Sequence, residues 1–266
     1  MSPRVRVVVI VAAAALIAAG TAVGVTLATR THLPKEAAST APPLVTDPTA
    51  PASVVSEVRE ALRAWPNGTV RRLRILAAQH PSSGLVRLEL GLALVLTNQP
   101  GQAEAAWRQA KKVEPDSVSA VRADDLLHPD TPRGEPPFVP NFVTPRTRVQ
   151  RLLAEGVELQ RAYRPVSAEH VFAEAARLAP NDPEARVAAA VGLYDKDRPQ
   201  IAFSQLGPLA RRFPRSQSVR FHLGLLLIYF RQIAQARTQL ALAAEEGRTT
   251  PDGRAALELL KASRKR

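Results

Sequence analysis

Proline and glycine recur along this chain in a common phase of 34 residues, and that recurrence restricts the fold more than any other feature. Pro81 and Pro115 are 34 apart, as are Pro180 and Pro214, and Gly156 and Gly224 are separated by twice that step. Ala168, Ala202 and Ala236 keep the same spacing, Pro165 and Pro199 repeat it, and so do Ser83 and Ser117. Periods of about 20–50 residues belong to stacked arrays, in which each repeat is one supersecondary unit unable to bury its apolar face alone. Alanine matches are cheap in an alanine-rich chain. The shared phase of glycine and proline is what separates an array from a generic helical bundle.

A physical cause for the spacing is visible in residues 91–115, where Gly91, Ala103, Trp107, Ala110 and Pro115 follow one another. Two antiparallel helices approach closely if Gly91 faces Ala103, or Gly156 faces Ala168. Trp107 and Phe172 then fill the wider gap, while Ala110 and Ala175 let the next hairpin stack. A proline after the second helix stops it. Ser83, Asp182 and Ser216 fit as N-caps of the following first helices, and Ser117 caps a short helix over 118–127. Thr144 with Pro145, and Thr250 with Pro251, look like a cap followed by a first helical residue; the latter pair opens a last helix over 254–263.

The pattern resembles the tetratricopeptide repeat, whose consensus runs large residue, Leu, Gly, Tyr, then Ala, Phe, Ala and a late Pro. Window 84–117 carries Leu90, Gly91, Leu94, Ala103, Trp107, Ala110 and Pro115; window 149–182 carries Leu152, Gly156, Leu159, Ala168, Phe172, Ala175 and Pro180. Windows 183–216 (Leu193, Ala202, Pro214) and 217–250 (Leu223, Gly224, Leu227, Ala236, Ala243) lack the aromatic of the second helix, and window 50–83 keeps Leu73, Leu76 and Pro81. The resemblance implies an all-α helical-hairpin solenoid of about five repeats. The phase slips between Pro115 and Gly156, so the repeats fall into two blocks, 50–127 and 144–250, with a proline-rich insert at 128–146 and a capping helix and basic tail at 251–266.

Composition agrees with helices: 45% of the 266 residues are hydrophobic but only 5% are aromatic, so the apolar content is mostly Ala, Val and Leu. The absence of cysteine excludes disulfides, thiolate metal sites and a cysteine nucleophile. Residues 7–29 contain no charge and, at about 1.5 Å per residue, would span roughly 34 Å as a helix, which crosses a bilayer. That length favours a retained transmembrane anchor behind the basic head 1–6 over a cleaved signal, whose apolar core is about 7–15 residues. The expected topology is single-pass in the cytoplasmic membrane with the rest of the chain outside. Residues 30–52, with Pro34, Pro42, Pro43, Pro48 and Pro51, then form an extended tether.

In tetratricopeptide proteins the first helices line a groove that holds a partner's peptide or helix. By that resemblance the groove positions are Leu88, Leu92 and Val95, then Leu153 and Val157, then Val187, Val191 and Tyr194, and finally Phe221, Leu225 and Ile228. All are apolar, and the Lys and Asn clamp used by chaperone-binding members of the family is absent. Large open apolar surfaces usually have an occupant. The insert offers one, since it carries Phe138 and Phe142 among its prolines, and apolar groups in a proline-rich strand suit docking.

The net charge of +12, with basic clusters at Arg71, Arg72 and Arg74, at Lys111 and Lys112, at Arg211 and Arg212, and at Lys261, Arg264, Lys265 and Arg266, would attract polyanions. Outside a membrane these are anionic lipid head groups or cell-wall polymers, and on a cytoplasmic face they would include nucleic acid. No recognition-helix, zinc-spacing or aromatic-interleaved signature accompanies the charge, so nucleic acid is not the expected partner. His32, His80, His128, His170 and His222 lack metal-ligand spacing, and no phosphate loop or nucleophile motif is present. Neither an enzyme nor a cofactor or metal is expected. The sequence points to a membrane-anchored protein-interaction scaffold in an extracytoplasmic envelope assembly, with a polyanion-tethering module as the alternative.

Overall fold

The computed structural model describes residues 40–264. The expected anchor at 7–29, the basic head and the start of the tether lie outside the described residues; among those described, no helix is long and apolar enough to cross a membrane. The described chain is all-helical and divides into two units, residues 40–129 and 130–264. The first holds α1 (Ala52–Leu62), α2 (Thr69–Gln79), α3 (Gly84–Leu96), α4 (Pro100–Val113) and α5 (Val118–Leu127). The second holds α6 (Arg148–Arg161), α7 (Pro165–Leu178), α8 (Pro183–Gly192), α9 (Gln200–Arg212), α10 (Gln217–Tyr229), α11 (Ile233–Glu246) and α12 (Pro251–Arg264). Within each unit successive helices pack as hairpins, α3 on α4, α6 on α7 and α10 on α11 most extensively.

Those three hairpins share one turn. Three residues join the helices, and the middle one takes a left-handed conformation: Asn98 at φ 59°, Tyr163 at φ 57° and Arg231 at φ 59°. In each, the following residue's N–H reaches back to a carbonyl five positions earlier, Gln99 to Leu94, Arg164 to Leu159 and Gln232 to Leu227. This satisfies carbonyls that the ending helix leaves unpaired. The α8/α9 pair departs from the pattern, with a longer connection over 193–199.

Serine and aspartate caps start the first helices. Ser83 accepts from the Val86 N–H, Ser117 from Ala120, Asp182 from Glu184 and Ser216 from Val219, each removing an orphan donor. Thr144 does not cap the second block as expected. Helix α6 starts after Thr147, which forms a reciprocal capping box with Gln150; a side chain able to bond back at the third helical position outweighs the Thr–Pro pair. The last helix begins at Pro251, three residues before the expected start, with Thr250 accepting from the Gly253 N–H at 3.1 Å.

The tightest contact of the paired helices is to the large residue of the second helix, with the alanine backbone next to it where that residue is leucine, as Ala236 O would lie 3.2 Å from a Cβ on Gly224. A Cβ on Gly91 would lie 2.1 Å from Trp107 Nε1, and one on Gly156 would lie 2.2 Å from the Phe172 ring. The glycines make room for the aromatic residue itself. Trp107 is seated further by its indole N–H, which donates to the Leu88 carbonyl at 3.3 Å. Ala103, Ala110, Ala168, Ala175, Ala202, Ala236 and Ala243 are all buried beside these contacts. In the two windows without an aromatic, Leu206 and Leu240 occupy the slot and are buried. Pro115, Pro180 and Pro214 are exposed just past their helices, where they act as stops.

Candidate peptide groove

The expected groove positions are mostly covered. Leu88, Leu153, Val157, Val187, Val191, Tyr194, Phe221 and Leu225 are buried in the cores of their units, and Leu92, Val95 and Ile228 are half-buried against them. In the second unit the cover includes an extended strap formed by residues 133–142. Phe138 is 2% exposed; its ring lies 5.3 Å edge-on from Phe172 and is stacked at 5.0 Å on the His222 imidazole. Phe142 and Val139 pack half-buried on the same core.

The strap's backbone is held by side chains from the helices beneath it. The Phe138 N–H donates to Gln160 Oε1 at 2.9 Å, and Gln160 Nε2 donates to the Pro136 carbonyl at 3.4 Å. Tyr229, itself edge-on to Tyr194 at 5.4 Å, donates its hydroxyl to the Glu135 carbonyl at 3.0 Å. The Val139 N–H donates to His222 Nε2 at 2.9 Å. Nδ1 of that imidazole lies 2.8 Å from the Ser218 carbonyl and so carries the proton, leaving Nε2 as acceptor. Burial pushes His222 down to about 4, which keeps the ring neutral and accepting. The Asn141 N–H donates to Glu184 at the start of α8.

The first unit has its own strap, and the tether expected over 30–52 is therefore not free along its described part. Pro42 and Asp47 are buried, and Leu44 and Val45 pack on the core. The Val45 N–H donates to Glu89 Oε1 at 2.6 Å. Asp47 Oδ2 accepts from both the backbone N–H and the hydroxyl of Ser119, at 2.9 and 2.5 Å. Burial alone would raise the Asp47 carboxyl, but hydrogen bonds from Ser119 and Thr49 bring it below its ordinary value. Glu89 is 0% exposed and burial pushes it up to about 7 against the single Val45 bond.

Two features outside the 34-residue phase connect the straps. Residues 42–45 are Pro-Pro-Leu-Val and residues 136–139 are Pro-Pro-Phe-Val. Their acceptors are equivalent too: Glu89 stands two residues before Gly91, as His222 stands two before Gly224. Ser119 and Asp252, the second residues of the single closing helices α5 and α12, are the matching pair two helices further on. Each unit thus ends in a hairpin and a closing helix, crossed by a Pro-Pro-apolar-Val strap whose valine N–H is taken by a buried side chain at one repeat position.

The basic clusters are partly committed within the fold. Arg72 lies 3.9 Å from Glu60, Arg74 donates to Gln102 at 2.6 Å, Lys111 pairs with Asp124, Arg212 donates to Asn181 at 2.7 Å, and Lys261 pairs with Glu258 at 2.9 Å.

No family model matches the chain, and no curated protein matches it. Among solved structures it is similar to the one described as the crystal structure of YrrB, a TPR protein with an unusual peptide-binding site, at 18% identity over 79% of this chain and 88% of that one, with a TM-score of 0.34. No family is assigned on that likeness.

Proposed function

We propose that this chain is a protein-interaction scaffold, a tetratricopeptide-like array whose first helices hold extended proline-rich segments of partner proteins. One observation carries this reading: the same Pro-Pro-apolar-Val sequence lies on both units, with its valine N–H bonded at the same repeat position. Polyproline-like segments lose little entropy on docking because they are already extended. Apolar pockets take the third residue, and a buried acceptor fixes the register. The straps are built-in ligands that keep apolar surface covered until a partner segment replaces them. In its full form the reading places the array outside the cytoplasmic membrane, held by an anchor at 7–29; this part rests on the sequence of those residues alone.

The test is a labelled peptide spanning residues 131–145, titrated by fluorescence anisotropy against the full chain with residues 135–142 replaced by a Gly/Ser stretch of equal length. Saturable binding that is lost when the peptide's Val139 is replaced by proline, which removes the N–H, supports the groove. A steep fall in affinity with salt would instead favour attraction by the basic faces. Absence of binding to the folded variant contradicts the proposal.

A further inference from the structure

The two units read their straps at matching positions, yet at one of them the chemistry is inverted. In the first unit the strap residue Asp47 is the acceptor and the closing-helix residue Ser119 supplies two donors. In the second unit the closing-helix residue is Asp252, an acceptor, and Glu184 adds another. The strap residue at the place of Asp47, Asn141, brings its backbone N–H to Glu184 while its Oδ1 is buried without a partner. Asp252 is 0% exposed, and neither of its carboxylate oxygens has a hydrogen-bond partner among the described residues. Buried polar groups are nearly always paired, and a buried carboxylate left alone is costly. Burial first, and the Glu184 charge second, hold the Asp252 carboxyl well above its ordinary range; burial likewise raises Glu184.

We propose that this end of the second groove is a subsite for a cationic side chain, lysine or arginine, carried by a partner segment two residues after a Pro-Pro-aromatic-Val stretch. The proposal rests on the reading of the groove as a peptide site and adds its specificity. Asn141 is itself half-buried, so a longer side chain entering along the strap keeps its stem on apolar surface and delivers its head between the two carboxylates. A free divalent ion suits the place less well: calcium takes about 6–8 oxygens, whereas two carboxylates and one amide oxygen offer fewer, and one of these already accepts the Asn141 N–H. The first unit has no such subsite, because Asp47 already meets donors there. The built-in strap fills the apolar part of the groove with Phe138 and leaves the Asp252 carboxylate without a hydrogen-bond partner. A partner segment with lysine at that place has the advantage over it.

Three peptides, identical over residues 131–145 except for Asn, Lys or Asp at position 141, are titrated against the full chain with its strap replaced by Gly/Ser. We expect the lysine peptide to bind at least tenfold tighter than the asparagine peptide and the aspartate peptide to bind weakest, with the lysine advantage lost in the Asp252→Asn background. Equal affinities overturn the subsite while leaving the groove intact; no binding by any peptide overturns the groove reading and the subsite with it. In the intact chain, Asn141→Lys is expected to raise the melting temperature by roughly 2–4 °C and Asn141→Asp to lower it, and the reverse order counts against the proposal. A rise in melting temperature with calcium chloride alone, lost in Asp252→Asn, would make the subsite a metal site and overturn it.

Discussion

The two straps bear the same four-residue pattern but rest on opposite acceptors. In the first unit a buried carboxyl, Glu89, takes the valine N–H; in the second a buried neutral imidazole, His222, does so. The amount of apolar burial differs as well, since Phe138 is enclosed by Phe172 and His222 whereas Leu44 is half-buried. The repeat fixes where a strap is bonded, while the side chain at that place sets the pH range over which the bond is favoured.

The largest expected effect is on the second strap. Phe138→Ala should cost about 3–5 kcal/mol in denaturant unfolding, and Leu44→Ala about half that or less, because truncation of an enclosed aromatic leaves a larger cavity. Equal losses would erase the distinction between the straps. The pH response sharpens it. Glu89 has a folded value of about 7, above its ordinary 4.5, so its contribution is fully present below about 4.5 and is lost as pH rises through 7. His222 has a folded value of about 4, below its ordinary 6.5, so its contribution is present above about 6.5 and is lost as pH falls through 4. Each amounts to roughly 3 kcal/mol across its window. Glu89→Gln should therefore stabilise the chain at pH 8 and have little effect at pH 4, while His222→Phe should flatten the acid limb; thermal melts between pH 4 and 8 read both.

A smaller effect is expected from Gly156→Ala, where the added Cβ would overlap the Phe172 ring and cost about 1–3 kcal/mol. The smallest is Thr147→Ala, which removes one side of the α6 capping box for about 1 kcal/mol. Both are measured by equilibrium unfolding of the full chain.

Local features were legible in the sequence because they depend on neighbours. Ser83, Ser117, Asp182 and Ser216 cap helices through bonds to residues two or three positions away, and the phase of Gly91, Gly156 and Gly224 follows from one close contact per hairpin. That the aromatic ring is nearest to Gly91 and Gly156 is not legible, because the 34-residue step gives position along the chain, not which way a ring turns. Trp107 is drawn onto Gly91 by the Leu88 carbonyl, a bond that crosses the hairpin. The straps were harder. Residues 42 and 136 are 94 apart, whereas the helices that bind them repeat at 133, from Gly91 to Gly224. No single phase registers both, so the second strap shows in the sequence only as Phe138 and Phe142 among prolines, and the first only as a proline-rich tether over 30–52. Glu89 and His222 gave no signal of their own, since a lone acid or histidine on an apolar helix acquires meaning only from the N–H laid against it.

The valine N–H groups are held at equivalent positions in both units. Amide hydrogen exchange of Val45 and Val139 in the full chain at neutral pH, followed by NMR, tests this directly. Both amides are expected to be protected at least about a hundredfold over an unstructured chain, with Val139 protection falling selectively as pH drops toward 4 relative to the helix amides. Exchange of both at the rate of an unstructured chain would mean that neither strap is held, and the groove would lose its built-in ligand.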